Sequence, residues 1–262
     1  MAGVQAEAYR DFGEALEIGE LKLTIRESAF SGKLGKDYRL FKKVRPHYDK
    51  FQETVGKAIR KAYRDSKQDE IKVFEFGCGT GDTTEKIVSA DTRLKITAVD
   101  TEKVMLNQAM ERLSKYVAEG KLKFVLSDGL AVLRKTPDKS FDVFASAFAI
   151  HILKRKERSR LLKEAYRVLK GGGLFVNADK YAQDNPKEYQ KHLRWQIKRF
   201  DIFEKMGRPD LKKQWTRHYL QDASPEAVMK EGEAIEEMRK IGFRGTREIF
   251  RWHIDATIIA RK

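Results

Sequence analysis

From Ile71 to Ala178, short apolar runs alternate with longer stretches of helical spacing. Ile71–Phe76, Lys95–Asp100, Lys121–Asp128, Phe141–Phe148 and Leu174–Ala178 read as strands. Thr83–Ala90, Glu102–Val117, Gly129–Arg134 and Lys156–Leu169 read as the helices between them. The second of these helices should turn Met105, Leu106, Met110, Leu113 and Val117 inward. The last should bury Leu161, Leu162, Ala165 and Val168 and stop at Gly171-Gly172-Gly173. This alternation implies an α/β fold, a doubly wound and mostly parallel sheet with helices on both faces. In such sheets ligands bind beyond the carboxyl ends of the strands, where the strand order reverses.

The flanks read differently. Residues 1–30 are polar with scattered Leu16, Ile18, Leu21, Leu23 and Ile25, which predicts irregular structure or a short helix. Lys36–Arg64 predicts two helical pieces joined at Arg45, because Pro46 disfavours helical geometry before it. Tyr48, Phe51, Val55, Ala58, Ile59 and Ala62 form the apolar face of the second piece. No Pro/Ser-rich linker follows, so residues 1–68 are expected to be a helical cap of the same domain, with 69–262 as the main body. A basic, aromatic segment at about 185–222 interrupts the alternation as a helical insertion. Ser224-Pro225 then predicts a helix start running to Lys240, and Glu248–Trp252 with Ile254–Ala260 predict an antiparallel C-terminal strand pair.

The chain has 262 residues and a net charge of +15, which favours anionic partners or simply a lysine-rich, solvated surface. Its single cysteine excludes an internal disulfide and suits a reducing compartment. No signal-type apolar core and no run of membrane-spanning length is present, so a cytoplasmic protein without membrane partners is expected. The five histidines show no metal-ligand spacing, so no metal site is expected.

The chemistry concentrates at Glu75-Phe76-Gly77-Cys78-Gly79-Thr80-Gly81. Glycines at alternate positions after a strand let the backbone come close to a nucleotide. A pyrophosphate site of the G-x-G-x-x-G type needs glycine at position 82, where this chain has Asp82. Asp82 and Glu75 instead suit a ligand with a cationic end and no phosphate, such as S-adenosylmethionine. The stretch resembles the first motif, (D/E)-x-G-x-G-x-G, of the class I S-adenosylmethionine-dependent methyltransferases, whose Rossmann-like fold would be the one expected. Asp100, about 20 residues beyond the loop at the end of the second strand, can accept from both ribose hydroxyls.

The remaining expectations come from that resemblance. Thr101 and Met105 would flank the adenine, Asp128 would accept from its amino group, and Gly129 would add a backbone contact. Phe141–His151 is similar to the family's fourth-strand motif; Ala145 and Ser146 would lie beneath the methionine part, and His151 would face the transferred methyl. Gly77, Cys78, Gly79 and Gly81 form the loop itself, with Cys78 as a small filler and no nucleophile. Arg45-Pro46-His47-Tyr48 and the insertion resemble a subgroup that includes the carboxy-S-adenosylmethionine synthase, which would close Tyr48 over the cofactor. The arginine that holds the extra carboxylate there has no match; Arg217 is merely nearby, which argues against carboxy-S-adenosylmethionine synthesis here.

The resemblance implies an enzyme that transfers a methyl group to a small-molecule acceptor. Tyr38, Phe41 and Tyr48 from the cap and Trp195, Phe200, Trp215 and Tyr219 from the insertion would wall its pocket, and neighbouring Arg or Lys would favour an anionic acceptor. An RNA or protein methyltransferase is the weaker alternative: basic and aromatic residues interleave in 187–219, yet no RNA-binding module is present. A non-catalytic S-adenosylmethionine-binding protein ranks last, because no motif is broken.

Overall fold

The computed structural model describes residues 30–262, so the expectation for the chain's first 29 residues lies outside the described residues. Seven strands form one sheet: β1 (Ile71–Phe76), β2 (Leu94–Asp100), β3 (Leu122–Leu126), β4 (Phe141–Ala147), β5 (Leu169–Lys180), β6 (Arg244–Trp252) and β7 (Asp255–Arg261). Their order is β3-β2-β1-β4-β5-β7-β6, with only β7 antiparallel to its neighbours. The order reverses between β1 and β4, above which the glycine loop emerges.

Strand periodicity divides the core into two layers. Ile71, Val73, Val143, Ala145, Leu174 and Val176 face one side, and Phe74, Phe144 and Phe175 face the other. Register places those three rings in a row across β1, β4 and β5. They stack at 5.7 and 5.3 Å between centroids, a cross-strand contact that pins the register.

On the first layer lie α1 (Lys33–Lys36), a 3-10 helix (Tyr38–Val44) and α2 (Tyr48–Tyr63). Arg45 is extended at φ −122°, ψ 98°, as the following proline requires. The buried stripe of α2 is Tyr48, Phe51, Val55, Ile59 and Tyr63. The segment after β5 forms α8 (Pro186–Arg199), α9 (Asp201–Lys205) and α10 (Pro209–Asp222). The other helices are α3 (Asp82–Val88), α4 (Lys103–Arg112), α5 (Ser114–Ala118), α6 (Gly129–Lys135), α7 (Arg155–Val168) and α11 (Glu231–Ile241). Among the described residues no helix is long and apolar enough to cross a membrane.

Three local expectations fail for tertiary reasons. Gly171–Gly173 do not end a helix; α7 runs directly into β5, and the glycines form a bulge where register jumps from Phe141↔Leu169 to Val143↔Leu174. Ser224 opens only a turn, its carbonyl accepting from Ala227 and Val228 N–H. The chain must then return to the end of β5, where Ala182, two residues past the strand, bridges Lys230, and α11 begins one residue later. Met110 and Val117 are 47% and 43% exposed, because the Met105–Ala109–Leu113 stripe is the one turned to the glycine loop and the helix breaks at Leu113.

Candidate active site

Gly77, Gly79 and Gly81 all hold left-handed angles, φ +68°, +53° and +80°. A Cβ on Gly77 would stand 2.3 Å from that of Ala149 after β4, so glycine is required there twice over. Gly77 and Cys78 N–H groups donate to Val99 O at 2.9 and 3.1 Å, tying the loop to the end of β2. Asp100 completes the tie: its carboxylate accepts from Gly79 N at 2.7 Å and Glu102 N at 2.8 Å. Burial pushes Asp100 above its usual range, against those two N–H donors.

Glu75 is 1% exposed and neither carboxylate oxygen has a hydrogen-bond partner. Burial, opposed in part by the nearby Thr84 hydroxyl and reinforced by the charge of Asp100, pushes its pKa up to about 8 from 4.5. The unfolded chain ionises near 4.5 and the folded one near 8, so stability falls as pH rises between those values; below them both states are protonated and the effect vanishes. Glu75→Gln is expected to remove that slope, read as a shrinking difference from wild type in denaturant unfolding from pH 8 to pH 5. A constant difference contradicts the assignment.

Asp82 does not share this role. It accepts from Tyr48 OH at 3.1 Å, Thr80 Oγ1 at 3.0 Å and Arg112 Nη1 at 2.7 Å, which leaves Glu75 as the unpaired carboxylate beside the loop. The remaining residues expected at the site fall around the same strand ends. Ala145 and Ser146 are in register with Glu75 and Phe76, and Ser146 Oγ donates to Phe76 O at 3.0 Å. Met105 lies against Gly79, Gly129 against the Phe76 ring, and Thr101 is exposed just past β2. Asp128 caps α6, accepting from Ala131 N at 2.7 Å. Cys78 is buried, and burial with the charges of Glu75 and Asp100 raises its thiol pKa, an inert setting.

His151 sits in the turn after β4, 4% exposed. Its Nδ1 lies 2.5 Å from Asp179 Oδ1, while Ile150 and His151 N–H donate to Asp179 Oδ2 at 3.0 and 3.2 Å. Burial works to raise Asp179, but the His151 ring and the Lys180 N–H outweigh it and keep the carboxyl low. The histidine Nε2 is buried with no hydrogen-bond partner. It faces Asp222 of α10 at 3.6 Å, a carboxylate also held by Lys180 and by His218 at 3.3 Å.

Above the loop, Phe148 stacks on Tyr48 at 6.1 Å and approaches Phe41 and Phe51. Arg45, buried, pairs with Asp255, donates to Tyr219 OH and lies 5.0 Å from the Phe148 ring. Trp215 stacks on Phe41 at 4.1 Å and Phe200 lies behind Tyr219. Trp195 is not part of this wall; it stacks on His253 at 4.3 Å, at the turn between β6 and β7. Arg217 is exposed on α10, away from the cluster that its neighbour His218 joins. Sequence reasoning missed Asp179, Lys180, His218 and Asp222. Only the four-residue spacing of His218 and Asp222, one face of a helix, hinted at a pair.

A family profile described as a methyltransferase domain matches residues 73–173. With the strand order and the glycine loop, that match makes this stretch of the chain similar to the class I S-adenosylmethionine-dependent methyltransferases. Among curated relatives, the chain is 33% identical over 166 residues to the ubiquinone/menaquinone biosynthesis C-methyltransferase UbiE of Rhizobium rhizogenes, covering 60% of this chain and 63% of that protein. It is 28% identical to a demethylmenaquinone methyltransferase of Leptospira interrogans over 56% of this chain and 61% of that one, so the match spans under two thirds of these relatives' length. The fold is shared with an O-methyltransferase family protein from Burkholderia thailandensis, at TM-score 0.61, 14% identity, 99% of this chain and 69% of that chain. It is shared also with the CurJ carbon methyltransferase, at TM-score 0.58, 18% identity, 80% of this chain and 53% of that one.

Proposed function

We propose that the protein is an enzyme that transfers a methyl group from S-adenosylmethionine to a small-molecule acceptor. The observation that carries this is the buried, unpaired Glu75 beside three left-handed glycines and the Asp100 carboxylate. A cationic ligand satisfies Glu75, and Asp100 can exchange its backbone contacts for ribose hydroxyls. Gly77, Cys78, Gly79 and Gly81 would line the cofactor, Met105 and Thr101 flank its adenine, and Asp128 and Gly129 meet the adenine edge. Ala145 and Ser146 would lie under its amino-acid end, and Tyr48 would close above. Bound there, S-adenosylmethionine supplies a methyl group on an already activated sulfonium.

The chain's own task is then alignment and the exclusion of water. His151 is the catalytic residue in this reading. Asp179 fixes its ring, and the Nε2 lone pair is the Lewis base on the acceptor side. Such a lone pair can take the acceptor's proton or act on it through a cation. Phe41, Tyr48, Phe148 and Trp215 suit a planar acceptor, and Arg45 and Lys180 favour a negative charge on it. The relatives' names, in ubiquinone and menaquinone biosynthesis, agree with a ring-bearing acceptor. A cytoplasmic setting fits the single buried thiol.

Incubating the protein with methyl-labelled S-adenosylmethionine and a metabolite extract tests this. Label in a small molecule is expected; label only in RNA or protein, or none, overturns the reading. Asp100→Ala is expected to weaken S-adenosylmethionine binding by about 1.5–3 kcal/mol, the scale of charge-assisted hydrogen bonds. Unchanged affinity in calorimetric titration of the folded variant contradicts the placement of the ribose.

A further inference from the structure

Two buried histidines and one aspartate converge where β5, α10 and the turn after β4 meet. His151, Lys180, Tyr219 and Asp222 line a cavity of about 20 Å³, and His218 reaches Asp222 from one helical turn earlier on α10. That volume holds a single ion or water.

The donor atoms are spaced for one ion. His151 Nε2 and His218 Nε2 lie 3.6 and 3.3 Å from Asp222 Oδ2, and all three ligand atoms fall within 4.8 Å of one another. Donors held around a tetrahedral ion by bonds of about 2.0–2.2 Å stand roughly 3.4 Å apart. The Asp179 carboxylate holds Nδ1 of His151, which makes the unpartnered Nε2 the nitrogen with the free lone pair. A carboxylate behind an imidazole is the usual support of a metal-bound histidine. We propose that His151, His218 and Asp222 bind one divalent ion of the zinc type, leaving a fourth position open beside Tyr219.

Two imidazoles and one carboxylate select zinc or its neighbours; magnesium and calcium take oxygen shells. Lys180 is the competitor, because its ammonium rests on the same Asp222 oxygen and over the Tyr219 ring at 4.1 Å. The ion and the ammonium compete for that one oxygen, so the lysine head must swing aside for the ion to bind. An ion here would add positive charge to the acceptor side, and His151 would act on the acceptor through it instead of taking the proton directly. This role rests on the reading of that side as the acceptor site. Ion binding itself is read on the free protein and is separable from it.

The test strips the full-length protein with a chelator and dialyses it against Zn²⁺ and, for the spectrum, Co²⁺. One ion per chain is expected, with the strong visible absorption of four-coordinate cobalt. His218→Ala and Asp222→Asn are each expected to weaken binding by at least about tenfold. Lys180→Met, which keeps all three ligands, is expected to tighten it. Less than one ion per chain, or affinity indifferent to the first two variants, overturns the proposal. Should those variants not fold, Lys180→Met decides: tighter binding supports the site, and unchanged or weaker binding overturns it. Zinc binding without methyl transfer refutes the enzymatic reading alone; methyl transfer without zinc binding refutes the ion alone.

Discussion

His151→Ala is expected to lower the rate of methyl transfer by about 10²–10⁴-fold, the range for loss of a positioned acid–base group. The affinity for S-adenosylmethionine should stay within about twofold, because the ring lies beyond the loop that would hold the cofactor and loss of such a group acts on the reacting step. The alanine variant carries a second cost: Asp179, 0% exposed, loses its ring partner and keeps only backbone and amide donors. His151→Asn separates the two effects, since its amide can still donate towards Asp179 but offers no basic nitrogen. Equal loss of rate in both variants, with near-native melting in the second, places the effect in the chemistry. A rate that survives in the asparagine variant would make His151 a structural residue.

Trp215→Ala is expected to destabilise the fold by about 3–5 kcal/mol, the usual cost of removing a large buried aromatic. Trp215 is 2% exposed and joins α10 to the 3-10 helix by stacking on Phe41, with Phe30, Tyr38 and Phe200 around it. Few smaller side chains can collapse into that space, because its neighbours belong to three separate elements. The indole N–H is buried without a partner, so Trp215→Phe gives up an unsatisfied donor as well as volume and should cost under about 1.5 kcal/mol. Denaturant unfolding measures both. A loss below about 1 kcal/mol for alanine would mean that this seam contributes little to the fold.

The sheet was legible because its central strands β1, β4 and β5 are buried on both faces and its helices are striped, so local pattern and global topology agree. Ile71–Phe76 and the glycines after it show the same agreement at the site. The left-handed angles of Gly77, Gly79 and Gly81 are what alternate glycines after a strand imply. What stayed hidden depends on contacts between distant segments. Asp82 reads as a free acid beside the loop until Arg112, thirty residues on, is seen to neutralise it. His151 reads as a lone histidine until β5 brings Asp179 to its Nδ1 and α10 brings Asp222 opposite its Nε2. Ser224 has the chemistry of a helix start, and the bridge of Lys230 to Ala182 moves that start downstream. Local propensity is a weak prior against such ties.

The central claim is that the glycine bend, Glu75 and Asp100 form a pocket for a sulfonium-bearing adenosyl ligand. Isothermal titration of the protein with S-adenosylmethionine tests it most directly. One saturable site per chain, displaced by S-adenosylhomocysteine and indifferent to NAD, is predicted; no heat of binding, or displacement by NAD, would contradict it.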